Sequence, residues 1–340
     1  MVSRRGARLA ACAALAALGA CNTGFEPQYR VRDMRVLAAR AEIADDPRYA
    51  DADTGETVRL TALVANPEGV TVRWKACLPQ QSGGVSPCLD PAVLRDPSTL
   101  DGLPGTVDLG EGFSVEVSIP QELQPLLQAV IERASTRPEL ACTLYAELPV
   151  LAIASAAGTA RMAVKTVRLT PWREVQGTDL EGVYRRNQNP EIAQVYANPS
   201  DADACIGDAA LAHACTSGAD CAPGIPCLPA PGAGGGTVRY CGDPLAPGTQ
   251  RLCVKPTQDS VQIYRQCDAD GSRSDFFEGL TYQWYTTAGT FKRVGSSPLG
   301  DTGNITGEQV QLEVPAGPFT MWVIVRDDRG GVGWIQRDFR

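Results

Sequence analysis

Short runs of alternating apolar and polar residues recur along this 340-residue chain, and they constrain its fold more than any other feature. The clearest run is residues 113–119, where every second side chain is apolar, as in a strand with one buried face. Turn sequences such as Asn-Pro-Glu-Gly at 66–69 separate the runs. The pattern predicts further strands over 36–43, 57–65, 70–77, 142–153 and 160–169. An all-β domain over residues 31–170 is therefore expected.

One segment of this domain has helical rather than strand periodicity. Its apolar residues follow an i, i+3, i+4, i+7, i+8 spacing, namely Leu123, Leu126, Leu127, Val130 and Ile131. This stripe predicts a helix near 121–134 that crosses over and covers the sheets. The polar, Pro/Gly-rich stretch 78–105 is expected to be a long loop.

The second half of the chain repeats the pattern of the first. Residues 70–74 (Val-Thr-Val-Arg-Trp) match 280–284 (Leu-Thr-Tyr-Gln-Trp), and 113–117 match 310–314 in the same order. We expect Trp74 and Trp284 to occupy the two cores. A Gly-rich turn at 327–331 separates two final strands, 319–326 and 332–339. These observations predict a second domain over 190–340, after a polar linker at 171–189.

A Trp in the third strand of each unit and a Gly-rich hairpin near the end resemble immunoglobulin-like or PKD-like β-sandwiches. Residues 321–332 are similar to the end of the immunoglobulin-like units in predicted lipoproteins of Gram-negative bacteria, notably myxobacteria. The resemblance implies an all-β chain with two immunoglobulin-like sandwich domains in tandem. An antibody-type disulfide around the Trp is not indicated, because Cys77 lies three residues after Trp74 and so points to the opposite face.

The first 20 residues have the features of a secretory signal peptide: three arginines, a short apolar run, and small residues before Cys21. The run is too short to remain as a membrane-spanning helix, which needs about 20 apolar residues. It also resembles the lipobox of bacterial lipoproteins. That resemblance implies cleavage before Cys21, acylation of Cys21, a tether over 21–30 and, with Asn22 next, an outer-membrane location. Cleavage elsewhere, giving a freely secreted or periplasmic protein, is the alternative.

Ten cysteines remain besides Cys12 and Cys21, and an even number in an exported chain indicates disulfides. They are Cys77, Cys88, Cys142, Cys205, Cys215, Cys221, Cys227, Cys241, Cys253 and Cys267. Three precede residue 150 and seven lie between 205 and 267. If all ten pair, at least one bridge must join the two groups, although sequence alone does not assign it.

The segment near 204–253 interrupts the second domain and is poor in large apolar residues, so disulfides must hold it. Its cysteines resemble the small Cys-x5-Cys-x5-Cys knuckles of exported proteins. Zinc is the other ligand that such a cluster suggests. Structural zinc sites usually have cysteine pairs two to four residues apart, and the spacing here is wider, so no metal is predicted.

The charge of the chain argues against a nucleic-acid partner. Its formal net charge is −8, and it becomes −11 when the leader's three arginines are removed. No basic stripe for a phosphate backbone is present. We expect no nucleic acid as a partner and no cofactor.

Candidate catalytic groups are few. The only histidine, His213, lies between two cysteines of the insertion, and no nucleophile, zinc-protease or nucleotide-binding motif occurs. Acidic pairs occur at 201 and 203 and at 327 and 328, both in turn-like settings. Three aspartates around Gly271, at 268, 270 and 275, lack the third ligand that a calcium loop places before its Gly. No catalytic residue is predicted.

Trp322 and Trp334 lie on the last two strands, where a hairpin brings them together. Trp322 alternates with Met321 and Val323, so it faces away from the core of its own unit. An exposed aromatic pair there is a possible contact for a sugar or peptide, and cross-strand packing is the plainer interpretation.

These features together predict a non-enzymatic cell-envelope lipoprotein, a binding or structural module displayed on its lipid anchor. Its membrane contact is the N-terminal lipid, and its ligand is an unidentified protein or glycan. One alternative is an accessory or stalk subunit of a larger envelope assembly. A second alternative is a carboxylate-dependent hydrolase.

Overall fold

The computed structural model describes residues 27–78, 87–137, 142, 146–197, 215–220, 227–231, 237–241, 245, 247–267, 272–292 and 308–339. Several residues singled out above lie outside the described residues. They are the leader 1–20, Cys21, Cys205, Cys221, His213, Asp201, Asp203, Asp268 and Asp270.

The first unit is a seven-stranded antiparallel sandwich. One sheet has the order β1-β2-β5 and the other the order β4-β3-β6-β7. The strands are β1 Arg35–Ile43, β2 Thr57–Ala65, β3 Thr71–Cys77, β4 Thr106–Glu111, β5 Ser114–Ser118, β6 Ala146–Ala156 and β7 Thr159–Leu169. Six of the seven were predicted to within about four residues, whereas no strand was predicted at β4.

Trp74 lies on β3 at the centre of the first core, fully buried among Ala, Val and Leu side chains of both sheets. Its indole Nε1 donates to the carbonyl of Gly112, 2.9 Å away. A large aromatic side chain buries more apolar area than any other, which explains why one Trp organises this core.

The expected long loop at 78–105 is, in its described part, folded into short helical turns. Helix α1 spans Pro91–Arg95, with single 3-10 turns at Pro87–Leu89 and Pro97–Leu100. Asp90 and Asp96 cap α1 and the second turn through backbone amides. Each Asp is followed by a Pro, and an Asp N-cap followed by Pro is a signal for the start of a helix. The prediction of a long loop rested on the polar composition of the stretch and did not use this signal.

The crossover helix α2 spans Gln124–Thr136, after a 3-10 turn at Gln121–Leu123. Its apolar stripe is narrower than predicted. Leu127 is fully buried against the sheets, whereas Leu126 is 37% exposed. No helix in the described part of the chain is long and apolar enough to cross a membrane.

The second unit is also an antiparallel sandwich, with sheets β8-β11-β16-β15 and β14-β17-β18. Trp284 lies on β14 in its core. Two hairpins, β9–β10 and β12–β13, are inserted. The strands are β8 Ile192–Ala197, β9 Cys227–Pro231, β10 Thr237–Cys241, β11 Gly248–Pro256, β12 Ile263–Cys267, β13 Arg273–Phe277, β14 Leu280–Thr286, β15 Thr290–Phe291, β16 Glu308–Val314, β17 Phe319–Asp327 and β18 Val332–Phe339.

The two units have the same connectivity. The pairings β1–β2, β2–β5, β3–β6 and β6–β7 recur as β8–β11, β11–β16, β14–β17 and β17–β18. The units differ in one strand. In the first unit β4 pairs with β3, whereas its counterpart in the second unit, β15, pairs with β16 in the other sheet. The second unit thus has the four-plus-three layout of a constant-type immunoglobulin domain. The chain is an all-β protein with two immunoglobulin-like sandwiches in tandem.

Trp322 and Trp334, the candidate aromatic contact, are buried, with 3% and 4% exposure, in accord with the plainer interpretation that they pack. Trp322 does face away from its own core, as the alternation predicts. That outer face is covered by the first unit, whose Leu37, Leu63 and Ala65 pack against both indoles. Sequence parity gave the correct face, but it could not show that a second sandwich covers it.

Disulfides connect Cys77 with Cys88, Cys142 with Cys267, and Cys215 with Cys227. Cys253 is also disulfide-bonded. The Cys142–Cys267 bridge joins the first unit to hairpin β12–β13 of the second, so a bridge between the two cysteine groups is present.

The two core tryptophans differ in one testable respect. The indole nitrogen of Trp74 has a hydrogen bond, whereas that of Trp284 has no partner among the described residues. Trp74→Ala and Trp284→Ala should each lower the free energy of unfolding by about 3–5 kcal/mol. Trp74→Phe should cost about 1 kcal/mol more than Trp284→Phe, because it also leaves the Gly112 carbonyl unsatisfied. Denaturant titration measures both, and a well-tolerated Trp284→Ala would contradict the core assignment.

The bridge between the units gives a second prediction. Replacing Cys142 and Cys267 together by Ala should lower the free energy of unfolding by about 2–5 kcal/mol, because the bridge closes a long loop. Amide hydrogen exchange in β12–β13 should accelerate. The matched control replaces Cys77 and Cys88, which are 11 residues apart rather than 125, and should leave exchange in that hairpin unchanged. Unchanged exchange in the first variant would show that the bridge does not hold the hairpin.

Candidate binding cleft between the two sandwiches

A cleft of about 640 Å³ lies where the β1–β2 loop, residues 171–191 and hairpin β12–β13 meet; we call it the interdomain cleft. It continues into a second basin of about 570 Å³. Both volumes are in the range of small-molecule sites. Three rings and three guanidinium groups line the first basin: Tyr49, Trp172, Tyr264, Arg185, Arg186 and Arg265. Arg185, Gln188, Gln262 and Ile263 line both basins.

Residues 171–189, expected as a linker, form one wall of the cleft. They begin with a short helical turn, α3 Trp172–Val175. Val175, Leu180 and Val183 then pack on Ala134 of α2. Further along, the backbone amide of Asn189 donates to the backbone carbonyl of Arg48 in the first unit, 2.7 Å away. This segment is therefore packed into the protein, and its polar composition reflects hydrogen bonds.

Hairpin β12–β13 forms the opposite wall. The amide of Arg265 donates to the carbonyl of Gly182, and Arg185 Nη1 donates to the carbonyl of Ile263, at 3.2 and 3.0 Å. A Cβ on Gly182 would lie 2.8 Å from Arg265 Cδ, so a larger residue there would displace the Arg265 side chain. The hairpin is thus fixed by hydrogen bonds on one side and by the Cys142–Cys267 bridge at its end.

Arg329, from the turn between β17 and β18, connects the walls from below. Its Nε donates to Glu278 Oε1 at 2.7 Å, Nη1 to the carbonyl of Arg185 at 2.9 Å, and Nη2 to Gln262 Oε1 at 2.5 Å. Both partners of the ion pair are almost fully buried. One guanidinium group therefore holds the turn, the connecting segment and the start of the hairpin together.

The acidic pair at 327 and 328 has a structural role in this network. Asp327 accepts from Asn187 Nδ2 and from the amides of Arg329 and Gly331, while Asp328 accepts from the Tyr264 hydroxyl. Burial raises the pKa of Asp327. With Asp327 buried and hydrogen-bonded, this pair offers no support for the hydrolase alternative.

Glu278 belongs to the same network. Burial, and then the charge of Asp327, raise its pKa to about 8. Ligand oxygens of Glu278, Asp327 and Asp328 come within 4.8 Å of one another, as in a metal site. Arg329 and protein amides already bind these carboxylates, and their hydrogen bonds account for the cluster without a cation.

The charge within the cleft is only partly compensated. Arg186 pairs with Glu56 at 2.8 Å and lies over the ring of Tyr49. Arg265 approaches Asp275, the one described aspartate of the calcium-like group, only to 3.8 Å, and both are half-exposed or more. Arg185 has no carboxylate within 4 Å among the described residues. Cations with unused donors therefore face the basin.

Sequence reasoning did not identify the cleft residues. Arg185, Gln262 and Arg265 match no motif, and the polar composition of 171–189 indicated a spacer. The one available signal was the disulfide count, which required a bridge between the cysteine groups. That bridge brings the hairpin to the first unit.

No family model matches the chain, and no curated protein matches it. Among solved structures, it is similar to trypsin-activated α2-macroglobulin from Escherichia coli, with 13% identity and a TM-score of 0.19 over 90% of this chain. The elastase-activated form of the Escherichia coli protein has 14% identity and a TM-score of 0.19 over 93% of this chain. A Salmonella α2-macroglobulin mutant has 11% identity and a TM-score of 0.18 over 92% of this chain. The chain spans 18%, 22% and 17% of the lengths of these proteins.

Proposed function

We propose that this protein is a lipid-anchored, non-enzymatic binding module of the cell envelope, and that the interdomain cleft is its binding site. The observation that carries the proposal is the cleft itself. Its walls come from both sandwiches, they are joined by a disulfide and by Arg329, and they present Arg185, which has no carboxylate within 4 Å among the described residues. The anchor rests on the leader and Cys21.

The position of residues 27–31 supports display of the cleft away from a membrane. The amide of Val31 donates to Thr286 at the end of β14, and the ring of Tyr29 packs on Phe291. Tyr29 is eight residues after Cys21, so a lipid there would hold that end within about 30 Å of the bilayer, at roughly 3.5 Å per residue. Glu278, which binds Arg329 beneath the cleft, directly precedes the opposite end of β14. A lipid on Cys21 would therefore leave the cleft facing away.

A second candidate function, an accessory subunit of a larger envelope assembly, is favoured by a different observation. Hairpin β12–β13 exposes three apolar side chains, Ile263, Phe276 and Phe277, of which Ile263 and Phe277 are paired across the strands. Exposed apolar groups that lie together are typical of protein contacts.

The anchor is tested by Cys21→Ala. This variant should accumulate as an uncut, unlipidated precursor whose mass includes residues 1–20, whereas the parent protein should begin at an acylated Cys21. Mass spectrometry of the purified proteins measures both. An unmodified terminus at another residue of the parent would refute the anchor. Protease treatment of intact cells then distinguishes the cell surface from the periplasmic face.

The binding site is tested with charge reversal on and off the cleft. Arg185→Glu should reduce co-sedimentation with envelope material from cells lacking the protein by at least tenfold. Arg161→Glu, an exposed residue on β7 outside the cleft, should leave it unchanged. If instead Phe277→Ser abolishes binding and Arg185→Glu does not, the accessory-subunit function replaces the one proposed.

A further inference from the structure

Gln262 is placed at the junction of the two basins with its side-chain amide in a fixed orientation. Its Oε1 accepts from Arg329 Nη2 and from the amide of Gln188, at 2.5 and 2.9 Å. Because only oxygen can accept both bonds, the Nε2 group must point the other way. The residue is 6% exposed, and no hydrogen bond joins its Nε2 to a described residue, but Nε2 is not one of the fully buried unpaired atoms among those residues. The amide therefore reaches the water of the cleft and can donate to an acceptor on a ligand that binds there.

Two guanidinium groups line the same basin with donors to spare. Arg185 uses one of its donors on the carbonyl of Ile263. The side chain of Arg265 lies across Gly182 and, among the described residues, makes only the long ionic contact with Asp275. Guanidinium groups recognise carboxylates through paired hydrogen bonds. The basin therefore selects a ligand rich in acceptors and carrying negative charge.

The same hydrogen bonds disfavour an extended peptide. A peptide that adds a strand needs the free edge of β12 for its main-chain hydrogen bonds. On that edge the amide of Arg265 already donates to Gly182, and the carbonyl of Ile263 already accepts from Arg185. The aliphatic lining that peptide side chains need is also scarce, since Ile263 is the one aliphatic residue among those that line the first basin.

The rest of the lining suits a hydroxyl-rich ligand. The planar amide of Gln188 accompanies the half-buried ring of Trp172, and the carboxylate of Glu181 in the same lining already accepts from the amide of Gly177. Aromatic faces accept the apolar face of a sugar ring, and planar polar groups bind neighbouring hydroxyls. We propose that the interdomain cleft binds an acidic oligosaccharide, with a uronate carboxylate held by Arg185 and Arg265 and a ligand oxygen accepting from Gln262. This inference rests on the proposed binding function of the cleft.

The test is calorimetric titration of the full chain, in detergent with disulfides intact, using trigalacturonate and its methyl ester as matched probes. The acid form should bind at least tenfold more tightly than the ester, and more weakly as salt rises. Arg265→Gln, at a half-exposed position that does not risk the fold, should weaken binding of the acid form at least tenfold. Gln262→Glu, which keeps an oxygen for Arg329 and removes the donor, should do the same. Arg161→Gln should bind like the parent chain.

The other outcomes separate this inference from the proposed function. Equal binding of acid and ester, or binding of a tri-aspartate peptide in place of the saccharide, would overturn the ligand class while leaving the cleft a binding site. Equal affinity for acetate would reduce the site to a simple anion site and overturn the inference. Acid binding that is unaffected by Arg265→Gln would place the saccharide elsewhere and overturn the assignment to the cleft. If neither probe binds while envelope co-sedimentation still depends on Arg185, the saccharide is wrong and the binding function stands.

Discussion

The contact between the outer face of β1–β2 and the outer face of β17–β18 determines the arrangement of everything else in the molecule. Leu37, Leu63 and Ala65 of the first unit pack there on Trp322 and Trp334 of the second. Strands β1 and β2 are consequently buried on both faces, and this explains their unusual content of Ala and other small apolar residues. If the two sandwiches did not touch, the outer faces of the β1–β2 and β17–β18 sheets would both contact solvent. Here the outer sheets form a third core that fixes the angle between the units, and the cleft exists only at that angle.

An apolar contact is not directional, so something else must select one orientation of the two units. The buried hydrogen-bond network of Asp327, Asn187 and Asp51, which links the second unit to the first, is suited to that role. Removing these groups from water is expensive, and the cost is offset only when every partner is in place. A small rotation of one unit against the other would break the hydrogen bonds of Asn187 to Asp327 in the second unit and to Asp51 in the first. It would also break the bond of Arg326 Nη2 to the carbonyl of Leu37. The apolar face supplies the stability, and the polar network supplies the specificity.

The apolar contact and the polar network also explain which features the sequence predicts and which it does not. Strands such as β2 and β18 were predictable to the residue, because alternation and turn residues are local signals. The burial of Trp322 was not, because parity identifies a face but not what covers it. The segment 171–189 had the composition of a spacer, since a hydrogen bond to a distant carboxylate leaves no trace in local sequence. The cleft depends entirely on such long-range contacts, so its residues could not be chosen in advance.

The rigidity of the cleft bears on how tightly it binds a ligand. Binding to a flexible site loses affinity because side chains and loops must be ordered when the ligand arrives. In this protein that ordering accompanies folding: Cys142–Cys267 restrains one wall, α2 packs against the other, and Arg329 fixes the amide of Gln262. The donors that face the basin are therefore positioned before any ligand is present. A polar, open cleft with modest apolar area needs this preorganisation, because hydrogen bonds exchanged with water contribute little net free energy unless their donors are held in place.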